Sequence, residues 1–290
     1  MKHWKRRRFA RRVDQRQYVV GAAAPPADYV LTPGGYRHRS MVCQLPPGAY
    51  IRRRGGSVEF RKNGSRKLID RCRADAPYLA YPEAGSGWAA WASWQNPTET
   101  PISEFVTTWV VPQPPQSQVG QTVFLFNSLE NAAQTEIIQP VLQWGNPNNE
   151  GGNYWAIRTW YVAPGAMAIQ NHDPIQVSVG STLTGRIGMV PGDGGYVYSV
   201  QFDGYPDLNL SVDVTNELVL ATETLESYGI YTGDEYPSDN ATKMSSIQIS
   251  TGGGVVTQPI WTLQVPNPVN GCPSDCSVGD AGASVTIAYR

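Results

Sequence analysis

Two glutamines interrupt an apolar run near the middle of the chain. Gln139 and Gln143 lie in EIIQPVLQWG, where a β-strand is expected. A buried amide costs free energy unless it is hydrogen-bonded, so amides in such a run indicate a polar network or a site. Both glutamines lie on one face of a regular strand. Because Pro140 cannot donate to a ladder, we expect a gap, a bulge or a sheet edge beside Gln139.

Two glutamates interrupt a second apolar run, ELVLATETLESYGI at residues 217–230. In a regular strand Glu223 and Glu226 point to opposite faces, so either one functional carboxyl lies in a groove or both are solvated at an edge. A Glu and a Gln on one sheet face can hydrolyse a bond. The carboxylate acts as general base on water, and the amide donates to the developing oxyanion. Two carboxylates on such a face would instead suit glycoside hydrolysis.

Other catalytic chemistries lack their motifs. The chain contains no GxSxG elbow, phosphate loop, HExxH or EF-hand loop. Its three histidines, His3, His38 and His172, do not stand at metal-binding spacing from the four cysteines. We therefore expect no metal and no cofactor.

The elements that must position these residues are strands. No long amphipathic helix is predicted, and Gly- and Pro-rich turns separate many short β-propensive runs. The predicted fold is all-β, a two-sheet antiparallel β-sandwich of jelly-roll or concanavalin-like type. Its predicted strands are Trp88–Trp94, Phe105–Val111, Val123–Asn127, Glu136–Trp144, Tyr154–Val162, Ile175–Val190, Tyr196–Phe202, Leu208–Val214, Glu217–Ile230, Ser246–Ser250, Ile260–Val265 and Ser284–Tyr289, the longest with an internal turn or bulge.

Charge divides the chain into unequal parts. Of the 23 Lys and Arg residues, 19 lie in residues 1–73 beside four acidic residues, a formal charge of +15, whereas residues 74–290 carry −16. We predict a basic disordered arm and linker at 1–28, a small β-rich segment at 29–87 and the sandwich at 88–290. The basic part could bind an anionic surface, could be a prosegment, or could simply be solvated. A nucleic-acid partner is not expected, because few aromatic residues accompany the arginines.

The cysteines and sequons favour export, whereas the N-terminus does not. Four cysteines and three N-x-S/T sequons suit a secreted or cell-surface protein with disulfides. Pairing within each segment would join Cys43 to Cys72 and Cys272 to Cys276. No signal peptide is visible in MKHWKRRRFARR, and no run is long enough for a membrane span. The compartment stays open on these residues alone.

From about Trp88 to Thr251, six short motifs resemble, in the same order, those of the eqolisins, or glutamic peptidases. FVTTWVVP is similar to the family's FTxxxxVP, EIIQPVLQWG to ILQTG, and NYWAIRTWYV to YDAWYEWYP. VSVGSTLTGRI, ATETLESYGI and KMSSIQIST resemble three further strands, the second of which carries the catalytic glutamate in AEWIVE. FLFNSLEN stands where the family has WVGIDG, without its Trp and Asp, and Thr159 stands at the acid of the aromatic strand with Arg158 beside it.

The resemblance implies an acid-active endopeptidase with a Gln/Glu dyad and a polypeptide substrate. It assigns catalysis to Gln139 and Glu223, with Gln143 and Glu226 as alternatives. It also implies that the front segment is a prosegment that an acidic domain releases in acid.

Aromatic side chains on the strand NYWAIRTWYV would line the cleft. The substrate-binding candidates are Trp155, Trp160 and Tyr161. The same aromatic and amide side chains would also suit a lectin-like, carbohydrate-binding sandwich with a glycan ligand. A structural, self-assembling surface protein is the third hypothesis, because charge is low and the strands are rich in glycine.

Overall fold

The architecture is taken from a computed structural model. The structure describes residues 27–54, 57–62, 65–68, 87–98, 100–147, 150–162, 168–171, 173–190, 195–214, 216–265, 272 and 274–289. Cys72 and His172 lie outside these residues, as do residues 1–26 of the predicted arm and residues 69–86 of the predicted β-rich segment.

Almost all regular structure in the described residues is β-strand, with short 3₁₀ turns between some strands. The six strands of the N-terminal segment are β1 (Tyr29–Thr32), β2 (Gly35–His38), β3 (Val42–Leu45), β4 (Tyr50–Arg54), β5 (Ser57–Lys62) and β6 (Ser65–Leu68). The strands that follow are β7 (Trp88–Gln95), β8 (Ile102–Val110), β9 (Thr122–Asn131), β10 (Ile137–Gly145), β11 (Gly152–Val162), β12 (Ala168–Asn171), β13 (Ile175–Gln176), β14 (Thr182–Met189), β15 (Tyr196–Phe202), β16 (Leu210–Val214), β17 (Leu218–Tyr228), β18 (Ala241–Thr251), β19 (Gly254–Val255), β20 (Thr262–Gln264), β21 (Ser274–Gly279) and β22 (Ser284–Tyr289).

Two large sheets pack face to face, which confirms the predicted β-sandwich. Among the described residues, sheet I runs β20-β7-β17-β9-β10-β11-β12-β3, with β13 beside β11. Sheet II runs β21-β22-β18-β8-β14-β15-β16-β4-β5-β6, with β19 beside β18. The runs that carry the glutamines and glutamates, β10 and β17, flank β9 in the middle of sheet I.

Sheet I is buried on both faces. Along β9, Val123, Leu125 and Leu129 join the large core between the two sheets, whereas Phe124 and Phe126 belong to a second cluster on the other side. We call these the inner and the outer face of sheet I. A strand with two covered faces reads as a continuous apolar run, which is why FLF shows no alternation.

The N-terminal segment contributes to both sheets and covers the outer face. Strand β3 pairs in parallel with β12 at the edge of sheet I, and β4 pairs in parallel with β16 in sheet II. The hairpin β1–β2 lies over the second cluster, against which Leu31 and Tyr36 pack. These two parallel pairs differ from the predicted antiparallel sandwich, because β3 and β4 add alongside strands of the two sheets. Within the segment itself, β1–β2, β4–β5 and β5–β6 pair antiparallel.

The cysteine prediction was wrong at the C-terminal pair. Cys272 and Cys276 are buried free thiols. Cys276 lies in β21, which pairs with β22. Burial raises the pKa of its thiol to about 12. Cys43 is disulfide-bonded, and its pairing with Cys72 stays a prediction.

None of the described helical segments has the length and hydropathy that a bilayer crossing would need.

The two sheets approach each other closely at Gly185 of β14, and a substitution there tests this contact. A Cβ atom there would lie 2.5 Å from Asn127 Oδ1 and 2.8 Å from Pro140 Cγ. We expect Gly185→Ala to lower the free energy of unfolding by about 1–3 kcal/mol, because the sheets must separate locally. Gly188→Ala on the same strand is the control, since its nearest contact is 3.9 Å away. Equal urea midpoints for the two variants would contradict this account.

Candidate active site

Glu223 points into the sandwich. It stands opposite Asn127 of β9 and Ala92 of β7, and both of those positions face the inner core. Thr107 of sheet II donates its hydroxyl proton to Glu223 Oε1 at 2.5 Å, and Oε2 has no hydrogen-bond partner among the described residues. Burial raises the pKa of Glu223 well above its ordinary value, although the Thr107 bond acts against this. A neutral carboxyl is the form that this dry environment favours.

Gln139 lies on the other face of the same sheet. Its neighbours Ile138 and Leu142 belong to the inner core, so Gln139 points outward, opposite Trp160 of β11. The ladder between β10 and β9 is interrupted at Gln139 and Pro140, as expected from the missing N–H of Pro140.

Gln139 and Glu223 therefore lie on opposite faces of sheet I, so the structure does not bring the two predicted catalytic residues together on one face. The face of a strand residue follows from parity and from which neighbours are buried. Within β10 and within β17, the predicted alternation of side chains agrees with the observed faces. The sequence gives no relation between the parities of β10 and β17, because they are joined only through the register of β9.

The two alternative residues share the outer face. Glu226 stands opposite Phe124 of β9, and Phe124 stands opposite Gln143 of β10. Two interstrand spacings place the Cα atoms of Glu226 and Gln143 about 10 Å apart, with Phe124 between them. We call Glu226, Phe124 and Gln143 the Glu226–Gln143 row.

Two groups donate hydrogen bonds to the Glu226 carboxyl. Tyr228 donates its hydroxyl proton to Oε1 at 2.5 Å, and Gly34, in the turn between β1 and β2, donates its backbone N–H to the same oxygen at 2.8 Å. Oε2 has no hydrogen-bond partner among the described residues. Burial raises the pKa of Glu226 to about 7, while Tyr228, Gly34, Arg37 and Trp88 each lower it. The carboxyl is thus poised to gain or lose a proton near neutral pH.

In the side chain of Gln143, only the amide nitrogen has a hydrogen-bond partner among the described residues. Its Nε2 donates to the backbone carbonyl of Glu150 at 3.3 Å, and Oε1 has no partner in the described part of the chain. The Glu150 carboxylate in turn pairs with the buried Arg158 at 2.5 Å. Arg158 also donates to Gln170 Oε1 at 2.7 Å, and burial lowers the pKa of its guanidinium.

No sequence motif predicts this supporting network of Glu150, Arg158 and Gln170. The signal in the sequence was a lone arginine in an apolar strand, which implies a buried acidic partner. Nothing in the sequence relates the Gly34 turn to a strand 192 residues away. Tyr228 is only two residues from Glu226, and their shared strand parity is the signal that could have indicated their contact.

The three aromatic candidates divide between the faces. Trp155 and Tyr161 lie in the inner core, where Trp155 packs edge-on against Trp144 and Tyr161 donates to Glu136. Neither can line an outer cleft. Trp160 lies on the outer face and is fully buried, with the Arg158 guanidinium 5.8 Å from its ring centroid. An exposed platform of these three rings is absent from the described structure.

Comparisons with known proteins give likeness at the level of solved structures. Scytalido-glutamic peptidase, bound to a peptide-based transition-state analogue, is similar with a TM-score of 0.47 and 15% identity over 71% of this chain and 98% of that chain. SCP-B, a member of the Eqolisin family bound to the tripeptide Ala-Ile-His, matches with a TM-score of 0.45 and 14% identity over the same shares. An alginate lyase from Pseudomonas aeruginosa matches with a TM-score of 0.35 and 11% identity, over 70% of this chain and 86% of that one. No family model and no curated protein sequence matches the chain.

The inner position of Glu223 predicts a stability that depends on pH. The folded chain keeps Glu223 protonated where the unfolded chain ionises it, so its contribution is present in acid and is lost as the pH rises above about 4.5. We expect Glu223→Gln, which cannot titrate, to lose less stability than the parent between pH 5 and pH 8. The relative change in the folding equilibrium approaches about tenfold per pH unit.

Urea denaturation at the two pH values measures the difference. Glu217→Gln removes an exposed carboxyl just before the same strand and corrects for the change in net charge. Parallel curves for the parent and Glu223→Gln would show that Glu223 is not held neutral by the fold.

Proposed function

We propose that this chain is a glutamic-peptidase-like hydrolase that cleaves polypeptides with Glu226 and Gln143. The observation that carries the proposal is the Glu226–Gln143 row. It places one carboxyl and one amide on the same face of sheet I, and Glu226 Oε2 has no hydrogen-bond partner among the described residues. The order of short motifs that resemble the eqolisins supports it, with the alternative Gln and Glu of those motifs in the catalytic positions.

The chemistry follows from the functional groups. Ionised Glu226 takes a proton from a water through Oε2 as that water attacks the scissile carbonyl. The Nε2 group of Gln143 donates to the oxyanion that develops on the carbonyl oxygen. The proton held on Glu226 then passes to the departing amine. In this scheme Glu223 and Gln139 have structural roles.

We further propose that residues 29–45 act as the inhibitory part of a prosegment. The turn at Gly34 donates to the Glu226 carboxyl, and Leu31, Tyr36 and Val42 pack on the outer cluster. A polypeptide substrate would need this same face. The positive segment adheres to the negative sandwich, and acid weakens that attraction by protonating carboxylates.

Release of the segment would also change the pKa of Glu226. Burial is the main cause of its raised pKa, so exposure to water lowers the pKa towards the ordinary range of a glutamate. The base would then be ionised in moderate acid. Acid would therefore uncover the face and leave the carboxyl competent. Secretion, with a disulfide at Cys43, stays a prediction that suits such an enzyme.

Digestion of a denatured protein substrate across pH 3–7 tests the catalytic assignment. We expect Glu226→Gln and Gln143→Ala each to lower kcat/KM by about 10²-fold or more, because each removes a group that acts in the transition state. Glu223→Gln and Gln139→Ala are the matched controls and should retain activity within a few-fold. Full activity in Glu226→Gln, or its loss only in Glu223→Gln, would refute the assignment.

Acid treatment of the full chain tests the prosegment. We expect exposure to about pH 3–4 to release a fragment that ends between residues 45 and 87, as identified by mass spectrometry of the products, because protonation removes the charge attraction. Glu226→Gln should remain intact under the same conditions if the cleavage is its own. A parent chain that stays uncleaved and keeps residues 29–45 protected from added protease would contradict the proposal.

A further inference from the structure

Tyr228 is bonded to the candidate catalytic carboxyl and to nothing else that titrates in the described part of the chain. Its hydroxyl donates to Glu226 Oε1 at 2.5 Å and accepts the backbone N–H of Gly87 at 3.1 Å. The hydroxyl proton is therefore directed at Glu226, since the acceptor side of the oxygen is taken by Gly87. The two residues lie on the same face of β17, two positions apart.

Three neighbouring groups pack against the Tyr228 ring. It meets Phe124 edge-on at 6.4 Å and Tyr36 edge-on at 6.1 Å between ring centroids. At Gly87 the backbone passes so close that a Cβ would lie 2.6 Å from the ring carbon that bears the hydroxyl. Only glycine permits that approach and the hydrogen bond that comes with it. The Tyr228 hydroxyl therefore points in one direction and donates to one carboxylate oxygen, Glu226 Oε1.

We propose that Tyr228 is the positioning residue of Glu226, which anchors Oε1 so that Oε2 is the oxygen that handles the proton of the attacking water. This inference rests on the proposed function, because it assigns a role within the same site. A donor to Oε1 favours the ionised carboxyl and leaves the second oxygen without a competing bond. None of the family motifs quoted for this chain has a tyrosine two residues after the catalytic glutamate, so Tyr228 belongs to this chain's own version of the site.

The anchor persists when the other groups around Glu226 change. Gly34 and Arg37 belong to the N-terminal segment and leave with it, whereas Tyr228 is part of β17 and Trp88 is part of β7. Burial raises the pKa of Tyr228 well above its ordinary value, with Glu226 adding to the effect, so the hydroxyl stays a donor throughout the working range. Tyr228 is therefore the lasting hydroxyl donor to the carboxyl in both forms.

Tyr228→Phe removes the donor and keeps the ring. We expect the pKa of Glu226 to rise by about one unit, since one hydrogen bond to the charged form is lost. The measurement is a ¹³C NMR titration of the Glu226 side-chain carboxyl in the full chain, assigned by its disappearance in Glu226→Gln. In the active form the acid limb of the pH profile of kcat/KM should move to higher pH by the same amount, while KM stays within about twofold.

Tyr236→Phe is the matched control. Tyr236 is a buried tyrosine whose hydroxyl pairs with Ser227 Oγ at 3.0 Å. We expect it to leave the Glu226 titration unchanged. Because the NMR titration does not depend on turnover, a shifted carboxyl in a protein without peptidase activity would refute the proposed function and retain the anchor. An unshifted carboxyl in an active enzyme would overturn the anchor alone.

Replacement of Tyr228 by 3-fluorotyrosine keeps the proposal falsifiable if Tyr228→Phe fails to fold. The fluorinated phenol is nearly isosteric and is a stronger donor, so the pKa of Glu226 should fall instead of rising. A shift in opposite directions for the two replacements supports the anchor. A rise in both, or no change in both, would show that Tyr228 acts only through packing.

Discussion

Burial of sheet I on both faces is the constraint from which the rest of this structure follows. Every ionisable side chain on its central strands is removed from water, whichever way it points. Burial raises the pKa of Glu130 to about 8 and of Glu226 to about 7, and it raises that of Glu223 well above its ordinary value. Ionising these carboxyl groups inside such a sheet costs free energy, which is why burial raises each pKa.

The outer face is buried only because the chain covers it with its own N-terminal segment. Leu31, Tyr36 and Val42 of strands β1 to β3 pack on the outer cluster, on the face that carries the Glu226–Gln143 row. The same segment fills the edges of both sheets through β3 and β4. The turn that donates to Glu226 therefore belongs to the same segment that keeps this face from water. The segment and the sandwich also carry net charges of opposite sign.

Two glutamates three residues apart on one strand have different surroundings. Glu223 accepts a hydrogen bond from a hydroxyl of the opposite sheet, whereas Glu226 accepts from the turn between β1 and β2 and from Tyr228 of its own strand. A carboxyl held neutral between the sheets contributes to specificity of packing. A carboxyl on a sheet face that another segment covers can exchange its proton when that segment is absent. Strand parity alone separates these outcomes.

Much of the fold could be predicted from the sequence. Alternation and turn residues located strands such as Tyr196–Phe202 and Ser284–Tyr289 at their observed bounds, and Ile175–Val190 was expected to contain the turn that separates β13 from β14. Short strands such as β3 and β12 were missed, because four residues carry too little pattern and their pairing with each other is long-range.

The sequence by itself determined the kind of chemistry available, namely Gln and Glu side chains in apolar strands, and which of them share parity within a strand. Only the tertiary structure decided which pair meets. Parity is a local property with a period of two residues, whereas the face shared by β17 and β10 depends on their registers with β9. Those registers are decided by packing between sheets, and a shift of one residue exchanges Glu226 for a neighbour that points the other way.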